Sequence, residues 1–154
     1  MEFIGREREL ARIKKTLKVT EQRNVLIYGR RRVGKSELIK QALTDLSDVA
    51  TVYYECRQTS EADNLESLSV LVAEALSFPP LAFTGIRELI EFLFAQAKDK
   101  NITLVLDEYP YLRDAVKGLD SILQTSIDAH REDSRLNIVL CGSYVEIMKS
   151  LIEH

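Results

Sequence analysis

Between a short apolar run, Asn24-Val25-Leu26-Ile27-Tyr28, and a helical pattern over Gly34 to Leu46 stands the octapeptide Gly29-Arg30-Arg31-Arg32-Val33-Gly34-Lys35-Ser36. Its spacing is G-x-x-x-x-G-K-[ST]. A buried strand feeding it and a helix leaving it are the setting in which that spacing has physical meaning. Gly29 and Gly34 let the backbone wrap a phosphate chain with its N–H groups pointing inward. The helix that starts at Gly34 turns its positive end toward the same anion. Lys35 is placed to reach the β- and γ-phosphates, and the Ser36 hydroxyl to ligate Mg²⁺. With Glu37 at the helix start, residues 29–37 form the candidate cofactor-binding loop.

The rest of the chain repeats the same alternation. Leu10, Ile13 and Leu17 mark an amphipathic helix over 6–22. The stretch from Val49 to Cys56 is β-branched and aromatic, a second strand. Helices are expected over 64–77, which Phe78-Pro79-Pro80 breaks, and over 86–98. Ile102 to Leu106 is a continuous apolar run, a buried strand. Pro110 is expected to keep Tyr109 extended. A helix over 112–131 follows, then a fourth apolar run from Leu136 to Cys141, then a last helix over 144–152. Strands alternating with helices predict a mostly parallel sheet in a three-layer α/β/α sandwich of about four strands. If the strands are counted from the Asn24–Tyr28 run, the order is 1-4-3-2. The first strand then lies at an edge, and an open edge there invites self-association.

The third strand run ends in Asp107-Glu108. Open α/β sheets bind ligands at the carboxyl ends of their strands, so two acids there face the phosphate loop. Asp107 is expected to hold Mg²⁺ through water. Glu108 is placed to activate or orient a water that attacks the γ-phosphate. Gly142-Ser143 ends the fourth run; Ser143 can orient that water and report the nucleotide state, cap the helix over 144–152, or do both. Arg30, Arg31 and Arg32 either steer the nucleotide or a partner, or form a solvated basic loop. Tyr53-Tyr54-Glu55-Cys56 ends the second strand near the same edge, where packing is the favoured role.

Composition narrows the rest. The 154 residues carry a net charge of −3, which disfavours direct nucleic-acid binding. Residues 1–40, however, hold 12 Lys/Arg against 5 Asp/Glu, and residues 41–154 hold 9 against 19, so the amino-terminal quarter is the one suited to anions. No apolar run is long enough to span a membrane. Cys56 and Cys141 lie in strand-like runs and read as buried thiols of a reducing cytoplasm. With only two histidines, a zinc site is disfavoured.

These pieces carry a resemblance. Phe3-Ile4-Gly5-Arg6-Glu7, the Arg-rich loop Gly29 to Ser36, Asp107-Glu108-Tyr109-Pro110-Tyr111-Leu112 and Cys141-Gly142-Ser143 resemble the ATPase domain of prokaryotic, largely archaeal, P-loop ATPases of the AAA+/STAND type. The loop corresponds to Walker A and Asp107-Glu108 to Walker B. The resemblance implies ATP/ADP and Mg²⁺ as cofactors, adenine packing near Ile4, Gly5 and Arg6, a catalytic role for Glu108 together with Lys35, and a sensor role for Ser143. It also implies a fifth strand, a helical lid and an effector region beyond His154, so residues 1–154 read as one ATPase domain of a longer protein, with a homo-oligomer or another protein as partner. The expected function is Mg²⁺-dependent ATP hydrolysis, weak in this stretch alone; the alternative is a nucleotide-gated interaction module with little turnover. Glu108 argues against a P-loop kinase, and no Asn-Lys-x-Asp guanine motif supports a GTPase.

Overall fold

A computed structural model describes residues 2–4, 24–28 and 50–142 of the chain, the first two ranges as backbone strands. The strands are β1 (Glu2–Ile4), β2 (Asn24–Tyr28), β3 (Ala50–Glu55), β4 (Ile102–Asp107) and β5 (Leu136–Gly142). The described helices are α1 (Glu61–Leu76), α2 (Ile86–Gln96), α3 (Tyr109–Ala115) and α4 (Leu119–Ala129). The helices expected over 6–22, 34–46 and 144–152 lie outside the described residues.

All the pairings are parallel, and the order is β1-β2-β5-β4-β3. The four strands β2-β5-β4-β3 reproduce the expected 1-4-3-2 arrangement. The edge does not. Glu2, Phe3 and Ile4 pair with Val25, Leu26 and Ile27, so β1 covers the side of β2 expected to be open. The edge of β2 is therefore not open to self-association. Three residues are too few to show a period, and the strand exists through its partner, not its own pattern.

The central strands β4 and β5 are buried along their whole length, which is why both read as largely apolar runs, with Thr103 and Asn137 the polar residues inside them. Alternation sends Val52, Tyr54, Ile102, Leu104, Leu106, Leu136, Ile138 and Leu140 to one face. There they join Leu68 and Val72 of α1, Leu89, Leu93 and Phe94 of α2, Leu112 of α3 and Leu123 and Ile127 of α4 in a single core.

Local chemistry moves three boundaries. α1 starts at Glu61, three residues before the expected start, because the Ser60 side chain accepts the Asp63 N–H at 3.1 Å, a typical N-cap. The helix expected over 112–131 is two helices, since Gly118 takes the left-handed backbone (φ 73°) and opens α4 anew. Tyr109 is not extended. It begins α3, with Pro110 in the first turn where a missing N–H costs nothing.

Leu104, wholly buried at the middle of the sheet, supports this core from its centre. Leu104→Ala should cost about 2–5 kcal/mol. Denaturant unfolding measures it, and a loss below about 1 kcal/mol would contradict the packing described.

Candidate functional site

The site is built on the last residue of β4. Asp107 is 1% exposed and shares the face of Thr103 and Val105, away from the Leu104 and Leu106 side. A buried carboxylate is tolerated only when polar groups meet it. Its Oδ1 accepts the Glu108 N–H at 2.9 Å, and its Oδ2 accepts the Tyr53 hydroxyl from the neighbouring strand. Its carbonyl accepts the Cys56 N–H at 2.7 Å, which carries the β3–β4 ladder one residue past the register pair Glu55 and Asp107.

Glu108 makes the turn out of the sheet. Its backbone is left-handed (φ 55°, ψ 41°), a conformation that costs a residue with a Cβ about 1–2 kcal/mol. The turn leads straight from β4 into α3 without a loop, and it holds Glu108 5% exposed at the sheet's carboxyl edge. Strain of this kind, kept in place by surrounding structure, concentrates at functional sites.

α3 is fastened from below. The Tyr109 ring is fully buried, and its hydroxyl donates to Asp120 Oδ1 at 2.6 Å. Asp120 Oδ2 accepts from Arg113 Nε at 2.7 Å. Burial, reinforced by that bond to Asp120, pushes the Tyr109 hydroxyl far above its usual range, so it stays a neutral donor. Asp120 thereby ties the first residue of α3 to the start of α4, and with it the placement of Glu108.

All five strands end at one edge. Register sets Tyr28 beside Gly142, and Leu140 beside Leu106, one residue before Asp107. β5 thus lies between the strand that ends at Tyr28 and the strand that ends at Asp107. Ligands of open α/β sheets bind outside such carboxyl ends. Among the described residues no group of three or more His, Cys, Asp or Glu can hold a metal alone. Mg²⁺ does not require one: it is bound by one or two carboxylates together with substrate phosphates. The hard oxygens of an oriented, buried Asp107 suit that role.

Comparison with known proteins assigns the fold to a family. Residues 3–154 match the model of an ATPase domain found predominantly in Archaea. The chain belongs to this family. An uncharacterized protein of Methanocaldococcus jannaschii is 29% identical to the ATPase domain over 146 residues, 95% of this chain and 30% of that protein. The chain therefore spans under a third of that relative's length. A second uncharacterized protein of the same organism is 32% identical over 59 residues, 38% of this chain and 57% of its own length. The Walker-type ATPase paby2304 of Pyrococcus abyssi superposes with a TM-score of 0.65 at 21% identity, over 96% of this chain and 47% of that one. The ORC2 protein of Aeropyrum pernix, in its ADPNP–ADP complexes, gives 0.61 at 18% identity, over 94% and 40%. At these identities the likeness is one of fold, that of the P-loop ATPases.

Of the residues singled out in the sequence of this ATPase domain, Asp107 and Glu108 stand together at the strand end, and Ile4 closes β1 at the same edge. Gly5, Arg6, Gly29, Arg30, Arg31, Arg32, Val33, Gly34, Lys35, Ser36, Glu37 and Ser143 lie outside the described residues. Sequence reasoning gave Tyr109 no role beyond its place in the motif, passed over Arg113 and Asp120, and gave Tyr53 a packing role. Strand alternation could have flagged Tyr53, which shares a face with Glu55; the Asp120 link joins two helices that had been read as one.

Two outcomes follow from the geometry at 107 and 108. Glu108→Gly should be more stable than Glu108→Ala by about 1 kcal/mol, because only glycine takes the left-handed backbone without a Cβ penalty. The two denaturation midpoints measure this, and the opposite order would mean that position 108 is not left-handed. Burial, with Asp107 and Glu108 adding negative charge nearby, pushes the Cys56 thiol well above its ordinary value. The thiolate is the reactive form, so in the folded protein at pH 8 Cys56 should resist alkylation, and unfolding should release it. Rapid modification of native Cys56, mapped by peptide mass, would contradict that environment.

Proposed function

We propose that the domain binds Mg²⁺–ATP at the carboxyl edge of its sheet and hydrolyses it, as the nucleotide-switch core of a larger AAA+/STAND-like cytoplasmic ATPase. In this reading residues 1–154 act as one domain. The observation that carries it is the pair Asp107-Glu108 at the end of β4, with the Asp107 carboxylate oriented by two donors and Glu108 held in a left-handed turn.

The roles follow from chemistry at that edge. Backbone N–H groups of residues 29–37 cradle the phosphates, with Lys35 pairing its charge against the β- and γ-phosphates. Ser36 and Asp107 hold Mg²⁺, which when bound neutralises charge on the phosphate oxygens. Glu108 accepts a proton from the attacking water or orients it. Ser143 contacts the same water, and Ile4, Gly5 and Arg6 pack the adenine. The likeness in fold to an ORC2 protein solved with adenine nucleotides supports ADP and ATP as ligands.

Lys35→Ala should abolish nucleotide binding in titration calorimetry. Glu108→Gln should keep affinity within about tenfold, or ~1.4 kcal/mol, and cut single-turnover hydrolysis by on the order of 10² or more. Equal affinity for Lys35→Ala and the parent refutes the loop assignment. Parent-like hydrolysis by Glu108→Gln removes Glu108 as the base. Tight binding by the parent with no turnover favours the nucleotide-gated interaction module.

A further inference from the structure

We propose that Tyr53 is a positioning residue for the metal-binding carboxylate of this ATPase domain. The inference rests on the reading of Asp107 as the Mg²⁺ group.

Tyr53 stands on β3, in register with Val105, two residues before Asp107 and on the same face. A phenol spans that diagonal, and its hydroxyl donates to Asp107 Oδ2. The other oxygen, Oδ1, takes the Glu108 N–H. One donor comes from β3 and the other from the turn that follows β4, and each meets a different oxygen. The terminal torsion of an aspartate is broad and nearly two-fold, and a hydrogen bond on each oxygen narrows the swing of the carboxylate plane. The Tyr53 hydroxyl supplies the one on Oδ2 from a neighbouring strand.

The second donor is also chemically specific. A phenylalanine at 53 keeps the ring and its packing and removes only the O–H. The side chain is half-buried and belongs to the strand next to the site. Its hydroxyl acts through Asp107 and need touch neither nucleotide nor water. Hydrogen-bond partners of metal-ligating groups orient the ligand, and their loss costs about 10–100-fold in metal affinity or activity. The effect therefore belongs to the metal-dependent part of nucleotide binding, while the metal-free part rests on the phosphate loop.

The test titrates Mg²⁺ against the full chain with a fluorescent ADP, and reads the Mg²⁺ concentration that half-saturates the metal-dependent gain in affinity. Tyr53→Phe should raise that concentration by on the order of tenfold or more. Its affinity for ADP in EDTA should stay within about twofold of the parent's, a combination that a merely structural loss would not produce. Asp107→Asn is run alongside. If Asp107→Asn shifts the Mg²⁺ requirement and Tyr53→Phe does not, Tyr53 has no positioning role and the assignment of Asp107 stands. If neither shifts it, Asp107 is not the metal group and both readings fall. Should Tyr53→Phe not fold, 3-fluorotyrosine placed at position 53 replaces it. Its ¹⁹F resonance should move when Mg²⁺ is added to the ADP-bound protein, and an unmoved resonance overturns the proposal.

Discussion

Burial of β4 and β5 on both faces is the constraint from which the rest follows. A strand covered on both sides must satisfy its backbone entirely within the sheet, and here it does so by parallel pairing. Parallel pairing forces a crossover between successive strands, because a hairpin cannot return the chain in the same direction. Every strand then ends at the same edge. Asp107 comes to that edge as the last residue of a central strand that is otherwise apolar except for Thr103.

That edge tolerates charge only through specific hydrogen bonds. Asp107 is as buried as the core leucines, yet it is met by the Glu108 N–H, and by a phenol from β3. Glu108 in turn holds an unfavourable backbone, and the neighbouring network explains how. Tyr109 is anchored by its ring in the core and by its hydroxyl on Asp120, so α3 cannot relax the turn that precedes it. Stability in the core thus holds a costly turn at the site, the arrangement expected where strain has a use.

Much of this was legible in the residues. The apolar runs located β2 to β5 to within about a residue, and their alternation with helices predicted that these four strands run parallel. The pair Asp107-Glu108 at a strand end was readable because the hydrophobic run stops there. Less legible were features set by single local residues: the Ser60 cap that starts α1 early, and Gly118, whose left-handed backbone splits one expected helix into two. Both were present as signals, but periodicity over a long window outweighed them.

The sequence by itself determined the class of fold, the family and the acidic pair at the sheet edge, because hydrophobic period, loop spacing and motif order are local along the chain. Tertiary structure alone decided that Glu2–Ile4 is a strand, that Tyr53 reaches Asp107, and that Asp120 joins Tyr109 to Arg113. Each of the first two depends on partners 20 or more residues away in the chain, and the third on two helices that the sequence pattern merges. A pattern read along the chain contains no distance between such groups. That distance appears only when the strands are in register and the helices are packed.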